Sequence, residues 1–423
     1  MTSAHKTFLG VIISGFVLLF FGMLFTLVQG AISGGSPSPE VQVTSDLSHR
    51  TAFGELLVAE LTPQIQVAFN YNINSRLVAT SSLNGGTITR SDALAVLSTG
   101  TNTFSSSTIN SLNVLKYNPG QGAEVRFTAL FTDCTANSNQ EIGVGDDEDG
   151  FFFACRGSDF GILRRHEGVN TFVAQSAWNG DKMDGTGASG QTLDITQGNV
   201  YEINYQWLGF GAITFEIEDS TTGDFREVHK IAYANKNTES SVHNPTLPIR
   251  MRVENVTNTS DIVMKTGSWG AFIEGKGVDA GFGNATSTVV NVGTTEIPLI
   301  SIRNDTTFQS ITNRVRVKVT IVSFSSDGTK VGTIFVRRDA TLTGAIFSNI
   351  DSDTSVVSVD TAATAISGGR LAFPIQMGKT DSLLLPITEL NFIINPGDVV
   401  SFSAQQSGGT SDIGVSVGWI ELF

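Results

Sequence analysis

The 423 residues carry 40 acidic and 26 basic side chains, a net charge of −14 at pH 7, which excludes phosphate-driven binding of nucleic acid and a basic membrane-surface patch. Two cysteines exclude a multi-disulfide scaffold and a four-cysteine zinc site, and the five histidines show no HExxH or HxH spacing. With 28 phenylalanines against 5 tyrosines, the aromatic rings are assigned to apolar cores rather than to tyrosine-rich binding faces.

Residues 1–7 form a short N-terminal tail containing Lys6, and residues 8–27 follow as a run of twenty without a charge. A helix of that length rises about 30 Å, the thickness of a bilayer's hydrocarbon core. The run predicts a transmembrane helix over 8–29, anchored through Phe8, Leu18, Phe20 and Leu27. A cleaved secretory signal is the alternative, since small residues surround Gly30, but the apolar run exceeds the usual signal core of about 7–15 residues. Lys6 on the N-terminal side predicts an ectodomain across the membrane from the compartment of synthesis. Residues 30–40, rich in Gly, Ser and Pro, read as a linker.

Beyond the linker, period two dominates, and the fold class is all-β: two tandem β-sandwich domains of jelly-roll type behind one transmembrane helix. The first domain is expected over 41–275, with strands at 200–207, 212–217 and 249–253 between Gly, Asn and Asp clusters. Residues 276–297 are a linker or a first strand, and 298–423 form the C-terminal jelly roll. There, 314–321 alternates strictly, with valines inward and basic residues outward. Cys134 and Cys155 end apolar runs that would flank a hairpin about residues 143–145, so a disulfide and two reduced thiols are both open.

Between these runs lie short motifs in a fixed order. They include Leu115-Lys116-Tyr117-Asn118-Pro119-Gly120-Gln121-Gly122, Gly150-Phe151-Phe152-Phe153, Phe160-Gly161-Ile162-Leu163-Arg164-Arg165, Tyr205-Gln206-Trp207-Leu208-Gly209-Phe210-Gly211 and Met251-Arg252-Val253-Glu254-Asn255. The series resembles a β-rich module of structural proteins from large double-stranded DNA viruses and of some phage tail or fibre proteins. Residues 298–421 look like a companion jelly roll of the same proteins, and together the two cover about three quarters of the chain. The resemblance implies a non-enzymatic virion protein, a minor capsid tether or an attachment spike, with no cofactor. Its partners would be a viral lipid bilayer through residues 8–29, capsid proteins and further copies of itself, a trimer by analogy. It would be single-pass, with the ectodomain on the side opposite the N-terminus. The hydrophobic N-terminus departs from tail-fibre versions and favours a virion with a membrane.

Several residue groups are candidates for chemistry. Trp178, Asn179, Asp181 and Asp184 share one loop, which reads as a rigid loop with Trp178 packed under the sheet or, since an aromatic plane stands beside amide and carboxylate acceptors, as a glycan site. This motivates a second expectation, a glycan- or receptor-binding adhesin ectodomain. Asp146, Asp147 and Asp149 suggest a Ca²⁺ site or a solvated hairpin tip. Glu216 and Glu218 lie on one face of a strand, about 6.5–7 Å apart, a spacing open to a sandwich glycosidase, but no neighbour in the sequence supplies an acid–base environment and a polar outer face is favoured. Arg164-Arg165-His166 reads as a solvated strand end. Asn255, Asn258, Asn284 and Asn304 stand in N-x-S/T sequons. If the two-part organisation is right, removal of residues 1–35 leaves a soluble protein with a β-type circular dichroism spectrum; an aggregate without β signal contradicts it.

Overall fold

The structure, a computed structural model, describes residues 59–276, 281–388 and 392–423. The transmembrane helix expected over 8–29, with Phe8, Leu18, Phe20 and Leu27, and the linker over 30–40 lie outside the described residues. Among the described residues no helix is long and apolar enough to cross a membrane. They are strands and turns, with a short 3-10 turn at Gln175–Ala177.

Residues Ala59–Phe423 form one compact unit with two large hydrophobic cores. The first core is enclosed by strands β1 (Leu61–Ala68), β2 (Val78–Leu83), β3 (Thr87–Ser91), β4 (Leu94–Ser98), β5 (Ser106–Leu115) and β6 (Ala123–Ala129). The chain continues through β7 (Ser138–Gly145), β8 (Gly150–Arg156), β9 (Asp159–His166), β10 (Val169–Ala174) and β11 (Asn199–Tyr205). It closes with β12 (Ile213–Glu218), β13 (Phe225–Ile231), β14 (Leu247–Asn255), β15 (Val263–Thr266) and β16 (Ser268–Glu274). A six-stranded sheet in the order β1-β16-β6-β11-β12-β13 faces a seven-stranded sheet in the order β10-β9-β8-β7-β14-β5-β2.

Alternation builds this sandwich. Val125 and Phe127 of β6, Tyr201 and Ile203 of β11, and Phe215 and Ile217 of β12 point inward from one sheet. Ile142, Phe151, Phe153, Ile162 and Met251 meet them from the other. Phe153 is the centre: its ring lies 4.7 Å from Tyr201, 5.5 Å from Phe215 and 6.3 Å from Phe127. Because the side-chain period is two, a slip of one residue in β8 would turn Phe151 and Phe153 out and bring Phe152 in.

Cys134 and Cys155 are bonded, with Cα atoms 5.3 Å apart. The β7–β8 hairpin turns through residues 146–149, and Cys155 lies opposite Gln140, so the bond ties the approach to β7 onto β8. Gly145 and Gly150 face each other at the hairpin end with φ of 154° and 153°. A Cβ on either would stand 2.4 or 2.6 Å from the ring of Phe152, which covers the pair on the outer face. Glycine there lets Phe152 lie down on the sheet.

The second core lies between two further antiparallel sheets. One pairs Phe282–Val292, Ser411–Leu422, Arg316–Ser326 and Asp381–Pro386; the other is centred on Ile297–Asn304 and Val399–Gln406. Val317 and Val319 are buried, as the alternation requires. Arg314 differs from the reading that set it outward. It is buried, its guanidinium pairs with Asp146 of the first sandwich, and it donates to the Asn244 carbonyl at 3.4 Å. Phe153→Ala is expected to destabilise the protein by about 3–5 kcal/mol in urea unfolding, whereas Leu83→Ala, on an exposed side chain, stays within about 0.5 kcal/mol.

Candidate ligand-binding site

Of the two readings of the Trp178 loop, the structure takes the one in which the ring packs under the sheet, and Trp178 is not presented to a sugar. Trp178 is 2% exposed and packs edge-on against Phe160 and Phe153, at 6.0 and 6.4 Å. Asn179 pins the loop to β13: its Nδ2 donates to the Lys230 carbonyl and its Oδ1 accepts the Lys230 N–H, both at 2.8 Å. Asp181 accepts the N–H groups of Met183 and Ser189 at 2.9 and 2.7 Å. Asp184 accepts the hydroxyl and N–H of Thr186, and these bonds hold its carboxyl below the usual range. Asn179 is thus spent on β13, and Asp181 and Asp184 hold the loop's own turns.

The three hairpin aspartates also part company. Asp146 caps the turn through the N–H groups of Glu148 and Asp149 and pairs with Arg314. Asp149 is buried and accepts the N–H groups of His243 and Asn244 at 2.8 and 3.1 Å. Asp147 pairs with Arg250 at 2.6 Å and Arg252 at 3.3 Å. No cluster of three His, Cys, Asp or Glu suited to a metal ion occurs among the described residues, which corrects the Ca²⁺ expectation. The sequons meet a similar obstacle. Asn255 and Asn304 are buried with Nδ2 bonded to backbone carbonyls, and the Nδ2 atoms of Asn258 and Asn284 donate to Asn255 and Glu421.

A group unrecognised in the sequence converges on the outer face of the seven-stranded sheet. Glu141, on β7, is 2% exposed although it points away from the core. Arg165 grips it with two bonds, Nη1 to Oε1 at 3.2 Å and Nη2 to Oε2 at 2.8 Å. Arg156 donates to Oε2 at 2.5 Å, and Arg250 Nε stands 3.5 Å from Oε1. Burial pushes the Glu141 carboxyl up, and Arg165, Arg156 and Arg250 together pull it below its ordinary value. Arg165 reaches Glu141 by lying over the Phe152 ring, 5.0 Å from its centroid, so in the strand end read as solvated Arg165 is buried and Arg164 and His166 are half-buried.

Beside this cluster is a cavity of about 270 Å³ bounded by Glu141, Asp147, Glu254, Arg156, Arg165 and Arg252, with Asn139 and Asn170 at its rim. Arg252 and Asn139 fix Glu254 at 2.9 and 3.2 Å. Polar capacity is left over: Asp147 is 75% exposed, and Arg156 engages the protein through Nη2. A larger open groove of about 710 Å³ on the second sandwich is lined by Ser, Thr, Gly, Val, Leu and Phe and has no charged group to orient a ligand.

The six-stranded sheet carries a second polar row on its outer face. Glu202 of β11 lies directly opposite Glu216 of β12, and Arg126 of β6 directly opposite Glu202. Arg126 Nε stands 2.5 Å from Glu202 and 2.9 Å from Glu124, while Asn204 donates to Glu202 at 2.7 Å. Burial, and next the charge of Glu202, push Glu124 up to about 7; burial and Glu202 also raise Glu216. Glu216 and Glu218 do share the outer face of β12, but the carboxylates that crowd Glu216 come from neighbouring strands. Alternation in 123–129 and 199–205 sets Glu124, Arg126 and Glu202 outward; the strand order that joins them is not written in either segment.

No protein-family model matches the sequence, and no curated protein matches it. Solved structures align with about half the chain. The cellulose-induced protein Cip1 is 13% identical over 49% of this chain and 96% of its own, with a TM-score of 0.34. A legume lectin-like domain from Entamoeba histolytica is 14% identical over 50% and 97%, with a TM-score of 0.31. Lectin I-B4 from Griffonia simplicifolia is 10% identical over 50% and 99%, again at 0.31. At these scores the likenesses carry no functional argument, which rests on the residues.

Glu124 binds its proton more readily in the folded protein than in the unfolded chain. Its contribution to stability is therefore fully present below about pH 4.5 and lost as pH rises through about 7. Relative to Glu124→Gln, the wild type is expected to lose about 1–3 kcal/mol between these limits in urea unfolding at a series of pH values. Parallel curves for the two proteins would contradict the assignment.

Proposed function

We propose that the protein is a glycan-binding recognition protein acting without catalysis, and that the cavity beside Glu141 holds the sugar. The observation that carries this reading is the convergence there of carboxylate, guanidinium and amide groups, each braced by another protein group. Sugar hydroxyls both donate and accept, and a ring with neighbouring hydroxyls suits fixed carboxylates and guanidiniums that offer paired contacts. The cavity is slightly below the 300–1,000 Å³ typical of sites for drug-sized ligands, which favours a single ring over a long chain. A site of that size binds weakly alone, and display of many copies raises its effective affinity.

The resemblance to viral structural proteins supplies the setting we propose: an anchored virion protein, tether or spike, presenting the site to a host glycan or receptor. Capsid proteins and a homo-oligomer, with a trimer favoured by analogy, belong to the same proposal. A second reading, glycan hydrolysis, is favoured by one observation: Glu202 and Glu216 directly opposed, with Glu124 near neutrality beside them. It requires turnover that Glu202→Gln and Glu216→Gln abolish.

A glycan array probed with the protein tests the main reading. Saturable binding is expected, weakened about tenfold by Asp147→Asn combined with Asn139→Ala. Binding that survives the double substitution would move the site elsewhere, and an empty array would remove the reading.

A further inference from the structure

We infer that the sugar held beside Glu141 is acidic, a ring bearing a carboxylate that docks on Arg156. This rests on the glycan-binding reading and names the class of sugar. The charged cluster around Glu141 has a surplus of cations. Glu141 carries one charge and faces three guanidiniums, those of Arg165, Arg156 and Arg250. Arg165 alone bonds both of its oxygens. Across the whole cluster, four arginines (Arg156, Arg165, Arg250 and Arg252) meet three acids (Glu141, Asp147 and Glu254), an excess of one positive charge. The cavity lining itself holds three of each, with Arg250 buried behind it, so the surplus charge belongs to the cluster beside the cavity in a chain that carries −14 as a whole.

Of the four arginines, Arg156 is the one that both lines the cavity and keeps bonding capacity toward it. Arg165 is spent: Nε donates to Asn170 at 2.9 Å, and its Nη atoms donate to Glu141 and to the Asp146 carbonyl. Arg250 is buried and pairs with Asp147; Arg252 is divided between Asp147 and Glu254. Arg156 uses Nη2 on a carboxylate that Arg165 already bonds through both oxygens, and its Nε, like that of Arg250, is buried without a hydrogen-bond partner, so the exposed part of its guanidinium is what a ligand would meet. A half-buried guanidinium is partly stripped of water, and an anion at its exposed edge offsets that cost. The Arg156 side chain remains 20% exposed, at the cavity.

The surroundings select a sugar acid over a bare anion. Asn139 stands directly opposite Arg156 across β7 and β8 and commits its Nδ2 to Glu254, leaving its carbonyl oxygen for a hydroxyl. Asp147, exposed on the far side of the cavity, supplies a second acceptor. Such acceptors repel a free phosphate or sulfate but bind the hydroxyls of a ring whose carboxylate reaches Arg156.

The test compares glucuronate- and N-acetylneuraminate-terminated oligosaccharides with their neutral counterparts, and with a 6-sulfated glucoside, by titration calorimetry on the full chain. Carboxylate sugars are expected to bind about tenfold or more tighter than neutral ones, with affinity falling as salt rises from about 50 to about 500 mM. Arg156→Gln is expected to level acidic and neutral affinities; Arg156→Lys, which keeps the charge, serves if the first variant does not fold and is expected to narrow the gap. Equal affinity for acidic and neutral sugars in the wild type overturns the inference while leaving glycan binding in place. Preference for the sulfated sugar over the carboxylates also overturns it. No binding of any sugar overturns both readings.

Discussion

A single buried carboxylate organises the first sandwich's outer face. Glu141 sits on β7, the middle strand of the seven-stranded sheet, with almost no exposure on the side away from the core. Removing a carboxylate from water costs several kcal/mol, and only opposite charge with good hydrogen-bond geometry offsets it. Arg165 supplies that geometry, and to do so it must cross Phe152, which must lie on Gly145 and Gly150. The hairpin end, its glycines, its aspartates and the face of the sheet are therefore one arrangement. Through Asp146 and Arg314 it also reaches the second sandwich.

This coupling is what makes the cavity suitable for recognition. Its polar walls are braced by neighbouring charges rather than by solvent, so little conformational freedom remains to be lost when a ligand enters. The six-stranded sheet shows the opposite design. There, Glu202, Glu216 and Glu124 crowd one arginine, like charges stand opposite each other, and two carboxyls are pushed toward protonation. One face gathers an excess of guanidiniums; the other gathers an excess of acids.

Much of the fold was legible in the sequence because alternation in segments such as 123–129 and 200–205 leaves one buried face and one register. The site was not, for reasons that differ by residue. Trp178 sits beside amides and carboxylates in the sequence, the composition of a sugar platform, but its ring fills the core between Phe153 and Phe160. Asp184 precedes Gly-Thr, a local turn pattern that consumes the carboxylate, and that signal was available. Glu141 reads only as an outward residue of a strand. Its partners Arg156 and Arg165 stand 15 and 24 residues away, and Arg250 arrives from β14, so the cage exists only once the strand order is known. The proposed membrane setting rests on residues 8–29, outside the described part of the chain.

The most direct test of the central claim is a double-mutant cycle in urea unfolding with Glu141→Gln, Arg165→Gln and the pair combined. If the buried carboxylate holds the face together, Glu141→Gln strands three guanidiniums and costs about 3–5 kcal/mol, while Arg165→Gln leaves Glu141 with Arg156 and the more distant Arg250 and costs about 2–3 kcal/mol. The pair then costs clearly less than the sum, with a coupling of about 2 kcal/mol or more. Additive effects, within about 0.5 kcal/mol, would mean that Glu141 and Arg165 are neighbours without being the keystone proposed here.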